Sequence, residues 1–182
     1  MVDFYSEKTV RWDKGRVVMI DQRRLPLKLS YLRCTDYHQV AEAIRRMAVR
    51  GAPAIGVAAA MGLALVASHS RAGDKDRLLS ELEEAGQILR GARPTAVNLS
   101  WAVQRVIGKA RAALGGVDDV RKVVVNEAVA MADEDVPINR KIGRHGSALL
   151  EDGDVVLTHC KWPTYWASRM REPSPPSHMA RL

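Results

Sequence analysis

Residues 50–71 read RGAPAIGVAAAMGLALVASHSR, a basic residue and a glycine ahead of an uncharged run from Gly51 to Ser70. Pro53 suits the first turn of a helix, where its missing N–H costs nothing and its fixed φ is already helical. Gly51 permits an unusual backbone turn and a close approach of a ligand to the main chain. The stretch therefore predicts an apolar helix whose N-terminus opens beside Arg50. Unpaired N–H groups and the positive end of the helix dipole converge there, which is what a phosphate requires. The reading is an anion site for a phosphorylated small molecule. Two other readings stay open on spacing alone. A run of about twenty apolar residues can cross a bilayer, but half of this one is Ala or Gly, which suits close helix packing, and the buried central helix of a soluble domain is preferred. Arg50 can also be an ordinary surface arginine, with RGAP only a helix start.

The flanking sequence predicts mostly helices. Upstream, Lys14-Gly15 sits between Thr9–Trp12 and the apolar run Val17–Ile20, the pattern of a hairpin. Asp21–Pro26 breaks that pattern, and Lys28–Arg33 reads as a further short strand. Thr35 or Asp36 can cap a helix over Tyr37–Val49. Downstream, Asp74 caps a helix that Gly91 ends, with Leu78, Leu79, Leu82, Ala85 and Leu89 inward. The loop Arg93-Pro94-Thr95 leads into a helix over Ala96–Leu114, with Val97, Trp101, Val103, Val106 and Ile107 as its buried face. A long helix from Val117 to Leu150 follows, with Pro137 and Gly143 as possible breaks. Its acidic-then-basic charges read as a solvated face. Val155–Thr158 is a β-branched strand ending in His159-Cys160, and the carboxyl end of such a strand is where open α/β sheets place ligands.

The fold class predicted is a mainly α N-terminal domain with a small β-hairpin region at its start, over residues 1–150. The first strand of a truncated Rossmann-like α/β domain follows at 151–160, and 161–182 is an unrelated or disordered tail. Four of the eight prolines lie in that tail, without helical or strand periodicity. It also holds +3 of the formal charge of +7, so the remainder carries no basic run. That distribution favours a small anion over nucleic acid as partner. Two cysteines, Cys34 and Cys160, make no disulfide framework and no zinc spacing. The N-terminus lacks the apolar core of a signal peptide, so a cytoplasmic location is expected. His159 and Cys160 are adjacent on a strand and point to opposite faces, which disfavours a Cys–His pair. Cys34 reads as an inert small residue, and His38, His69 and His145 as surface or core residues. Asn98 and Trp101 read as packing or capping residues.

Met47-Ala48-Val49-Arg50-Gly51-Ala52-Pro53-Ala54-Ile55-Gly56 and Arg93-Pro94-Thr95-Ala96-Val97-Asn98-Leu99, with Asp21-Gln22-Arg23 before them and Thr158-His159-Cys160 after, carry a resemblance. Residues 9–160 resemble the methylthioribose-1-phosphate isomerase family of methionine salvage. That family is related to ribose-1,5-bisphosphate isomerase and to the regulatory subunits of initiation factor 2B. The resemblance implies an aldose–ketose isomerase acting on 5-methylthioribose 1-phosphate in a cleft between a β/helical domain and a Rossmann-like domain, usually in a homodimer. It implies substrate contacts from Arg50, Gly51, Ala52 and Arg93, and a catalytic role in acid–base chemistry for Cys160. Neither a metal nor an organic cofactor is suggested, and proton and hydride routes between C2 and C1 both stay open. A ribose-1,5-bisphosphate isomerase, or a regulatory or binding subunit like those of initiation factor 2B, is the alternative. The family continues past its cysteine with Asn-Ala-Gly, where Lys161-Trp162-Pro163 stands here. Its general-acid aspartate lies further downstream, and no aspartate follows Cys160. The chain is therefore expected to be a truncated form, inactive as an isomerase on its own.

Overall fold

A computed structural model describes residues 8–151, 154 and 155. Its described residues form three strands and five α-helices. Strands β1 (Val10–Asp13), β2 (Arg16–Ile20) and β3 (Tyr31–Cys34) make an antiparallel sheet in that order. Lys14 and Gly15 join β1 to β2 with φ of 47° and 79°. Two consecutive positive φ values make the two-residue turn that matches strand twist, as Lys14-Gly15 predicted. The register sets Val17 opposite Trp12 and Cys34, and Met19 opposite Val10 and Leu32, so one apolar face meets the helices. The third strand begins later than expected, at Tyr31, after a 3-10 turn over Gln22–Arg24 and a cis peptide before Pro26.

Helices α1 (Tyr37–Arg45), α2 (Ala52–His69), α3 (Lys75–Ala92) and α4 (Val97–Ala112) pack with the sheet around α2. Asp36 caps α1 by accepting from the Gln39 N–H at 3.0 Å, and Asp74 caps α3 by accepting from Arg77 at 2.8 Å. The first helix stops at Arg45 rather than Val49. Met47 takes φ 55°, its N–H donates to Ile44 and that of Ala48 to Ala43, the paired bonds of a left-handed helix stop. Glycine normally marks that stop, so a methionine there concealed it. The third helix runs through Gly91 to Ala92, because Pro94 bars Arg93 from the helical region instead.

Burial places α2 at the centre, with 12 of its 18 residues buried. By length and composition it could cross a membrane; in this fold α1, α3, α4, β1 and β2 cover it. Its small residues allow the close packing. A Cβ on Gly56 would stand 3.1 Å from the Asn98 carbonyl oxygen of α4, and one on Gly62 would stand 3.2 Å from Leu89 of α3. That contact sets the face of α4: Leu99, Ala102, Val103, Val106, Ile107 and Ala110 are buried. Val97 and Trp101, expected inward, are 78% and 51% exposed. They lie one position off the stripe that Gly56 and Ala102 define, and the Trp101 ring instead lies beneath the Arg105 guanidinium, 5.4 Å away. Arg105 also pairs with Glu127.

Helix α5 spans Val117–Ser147 and contains Pro137. Contacts divide the described residues into two units, one ending at Ala132 and one beginning at Asp133. In the first, α5 buries Val120, Val124, Ala128, Met131 and Ala132. In the second, the Asp135 carboxylate accepts from Asn139 at 3.0 Å, and burial pushes its pKa up despite that bond. Leu157, His159, Cys160 and the segment 161–182, for which a strand end and a tail were expected, lie outside the described residues.

Candidate functional site

The two helices that pack through Gly56 both begin at one cleft of about 420 Å³. Gly51, Ala52 and Ile55 line it from the start of α2; Arg93, Thr95, Ala96, Val97 and Asn98 line it from the start of α4. Neither helix has a side-chain cap. Gly51 offers no side chain, and alanine, here Ala96, is a poor N-cap. At α2, the Ile55 N–H donates back to Gly51 at 3.0 Å, and Pro53 has no N–H. The amides of Ala52 and Ala54 find no acceptor among the described residues. At α4, Leu99 and Ser100 both donate to the Ala96 carbonyl, which leaves the amides of Val97 and Asn98 likewise without an acceptor among the described residues. Two dipole-positive helix ends with spare donors thus face one cavity, an arrangement suited to an anion.

Arg93 is half-buried at that cavity, and its guanidinium has no carboxylate partner among the described residues. Of the residues the sequence singled out, Gly51, Ala52 and Arg93 come together here. Arg50 adjoins them in the chain but is exposed and is not among the lining residues. Its backbone carbonyl accepts from Gln22 Nε2 at 3.4 Å. Cys160 lies outside the described residues. Gly51 holds φ 91°, a conformation that suits glycine and places the turn immediately before the helix. Sequence reasoning gave no binding role to Thr95, Val97 or Asn98. The signal for them was the missing cap: Ala96 stands where Ser, Thr, Asp or Asn would ordinarily begin a helix.

A larger cleft, about 520 Å³, lies between β3 and α1 and includes Arg23, Arg33, Cys34, His38, Glu42 and Arg46. Its chemistry is more self-contained. Arg46 pairs with Glu42, and Arg23 grips both carboxylate oxygens of Asp21, each at 2.7 Å. The Arg23 hydrogen bonds hold the buried Asp21 carboxyl below its ordinary pKa. Burial, with Asp36 adding repulsion, pushes the Cys34 thiol up to about 11, so it stays protonated near neutrality. Among the described residues no group of three or more His, Cys, Asp or Glu side chains could hold a metal ion.

The sequence pattern of the initiation factor 2 subunit family matches residues 48–167. The chain is 47% identical over 156 residues to methylthioribose-1-phosphate isomerase of Geobacter metallireducens, covering 85% of this chain and 45% of that protein. It is 45% identical over 152 residues to the enzyme of the same name from Thermosipho melanesiensis, covering 84% and 44%. A crystal structure of 5-methylthioribose 1-phosphate isomerase from Pyrococcus horikoshii OT3 is similar at TM-score 0.75 and 42% identity, over 80% of this chain and 41% of that one. A structure described as subunit delta of translation initiation factor eIF-2B from A. fulgidus is similar at TM-score 0.75 and 43% identity, over 85% and 45%. The chain spans less than half the length of these relatives.

Proposed function

The chain belongs to the initiation factor 2 subunit family, and from that membership we propose that it supplies the phosphate-holding part of an aldose–ketose isomerase. The reaction is conversion of 5-methylthioribose 1-phosphate to 5-methylthioribulose 1-phosphate. The observation that carries this reading is one cleft holding Gly51, Ala52, Arg93 and four helix-end amides, with no carboxylate on Arg93 and no acceptor for the amides among the described residues, in a chain whose relatives bear that activity's name. Arg93 would offer a forked pair of donors to the phosphate, and the amides of Ala52, Ala54, Val97 and Asn98 would supply further ones. Arg50 would reach the same anion from the cleft edge.

A phosphate on the anomeric oxygen keeps the sugar ring closed, so an acid must assist ring opening before hydrogen moves from C2 to C1. On this reading Cys160 takes part in that transfer as an acid–base group. The domain arrangement proposed is residues 1–150 as one β/helical domain, with a Rossmann-like domain opening at 151–160 and supplying the opposing wall and the homodimer contact. The protein is proposed to be cytoplasmic. A regulatory subunit that binds a sugar phosphate without turning it over is the second reading, favoured by the equal similarity to the structure described as an initiation factor subunit.

Calorimetric titration with 5-methylthioribose 1-phosphate and with inorganic phosphate tests the reading. The expected result is binding of both, tighter for the sugar phosphate, and weaker by about 10- to 100-fold in Arg93→Ala, as loss of a charged hydrogen bond implies. No binding, or equal affinity in the Arg93→Ala chain, would contradict it. Binding without turnover by a longer chain carrying the whole family fold would favour the regulatory reading.

A further inference from the structure

We propose that the turn Asp21-Gln22-Arg23 is a positioning device for the anion cleft, with Gln22 as the positioning residue; the inference rests on the phosphate reading above. The turn is itself rigidly held. The Asp21 N–H donates to Ser30 at 2.8 Å, and its carboxylate, 2% exposed, accepts two side-chain bonds from Arg23. From that anchor Gln22 takes hold of the segment leading into α2 at two places. Its backbone N–H donates to the Ala48 carbonyl at 2.9 Å, and its side-chain Nε2 donates to the Arg50 carbonyl at 3.4 Å. Ala48 and Val49 between are fully buried.

The Arg50 carbonyl and the Gly51 N–H belong to one planar trans peptide, so fixing the first fixes the direction of the second. That peptide is the one most in need of fixing. Met47 and Gly51 bracket the segment with φ of 55° and 91°, and glycine, lacking a Cβ, imposes little restraint of its own. Gly51 and Ala52 line the cleft. Gln22 therefore acts at one remove: it is not among the residues that line the cleft, and it sets the orientation of the peptide entering it.

The test compares the full chain with Gln22→Met, which keeps volume and removes the donor, with Gln22→Ala, and with Arg93→Ala. Inorganic phosphate is the probe, followed by amide chemical shifts in nitrogen-15 spectra. Both Gln22 variants are expected to weaken phosphate binding about threefold to tenfold, the range for one neutral hydrogen bond. Both should shift the Gly51 amide resonance before phosphate is added, with thermal midpoints near that of the parent. Weakened binding in Arg93→Ala with parent-like binding and an unmoved Gly51 resonance in Gln22→Met would overturn this inference alone. Unaltered binding in Arg93→Ala would overturn the phosphate reading, and this inference with it.

Discussion

Burial raises the pKa of both Cys34 and Asp21, and at Asp21 the Arg23 guanidinium reverses the shift. Cys34 is 4% exposed, and burial, with repulsion from Asp36, raises its thiol pKa to about 11. In a Cys160→Ser chain at pH 8, Cys34 should remain unreactive to a thiol reagent in the native state and give one equivalent after denaturation. Rapid native reaction would contradict the assigned burial. Asp21 is equally buried, but Arg23 outweighs desolvation and its folded pKa lies below the ordinary 3.8. A carboxyl with a depressed folded pKa adds stability above its unfolded pKa and loses it as pH falls through the folded one. Asp21→Asn should therefore lower the urea midpoint at pH 7, by about 1–3 kcal/mol of stability, and the gap to the parent should close below about pH 4. A gap that does not change with pH would rule out this ion pair as its source.

At the scale of elements, the position of the cleft depends on how closely α2 and α4 approach. A methyl group on Gly56 would press on a backbone carbonyl of α4, which cannot swing aside as a side-chain tip can. Gly56→Ala is expected to cost about 1–3 kcal/mol by overpacking and to weaken phosphate binding, since it moves one helix end relative to the other. Gly91→Ala is the contrast: nothing lies within 4 Å of its new methyl, and a helical alanine should add up to about 1 kcal/mol. Urea denaturation of both variants separates the two effects. Equal behaviour would show that the contact at Gly56 is loose. Much of this layer was readable from the chain, because Gly15, Pro53 and Asp74 mark boundaries by their own backbone chemistry. The C-terminal end of α1 and the outward placement of Val97 and Trp101 on α4 were not. Met47 adopts a left-handed conformation that its side chain does not advertise, and Trp101 is apolar enough to suggest burial although Ala102 is the residue that fits against Gly56. Of the residues lining the cleft, Arg93, Gly51 and Ala52 stood out in the chain, whereas Thr95, Val97 and Asn98 were marked only by a missing cap.

For the whole molecule, the uncharged stretch at 51–70 serves as the axis of a helical core and presents one end to a cavity. The two roles use the same composition. Small residues let neighbouring helices close around α2, and that closeness brings a second helix start alongside the first. The account stands on that convergence, and nitrogen-15 amide mapping during titration with 5-methylthioribose 1-phosphate tests it most directly. The largest saturable shifts should fall on Gly51, Ala52, Ala54, Val97 and Asn98 and on the Arg93 side-chain Nε. Shifts confined to the cleft around Arg33, Cys34 and His38, or shifts at one helix end without the other, would contradict it.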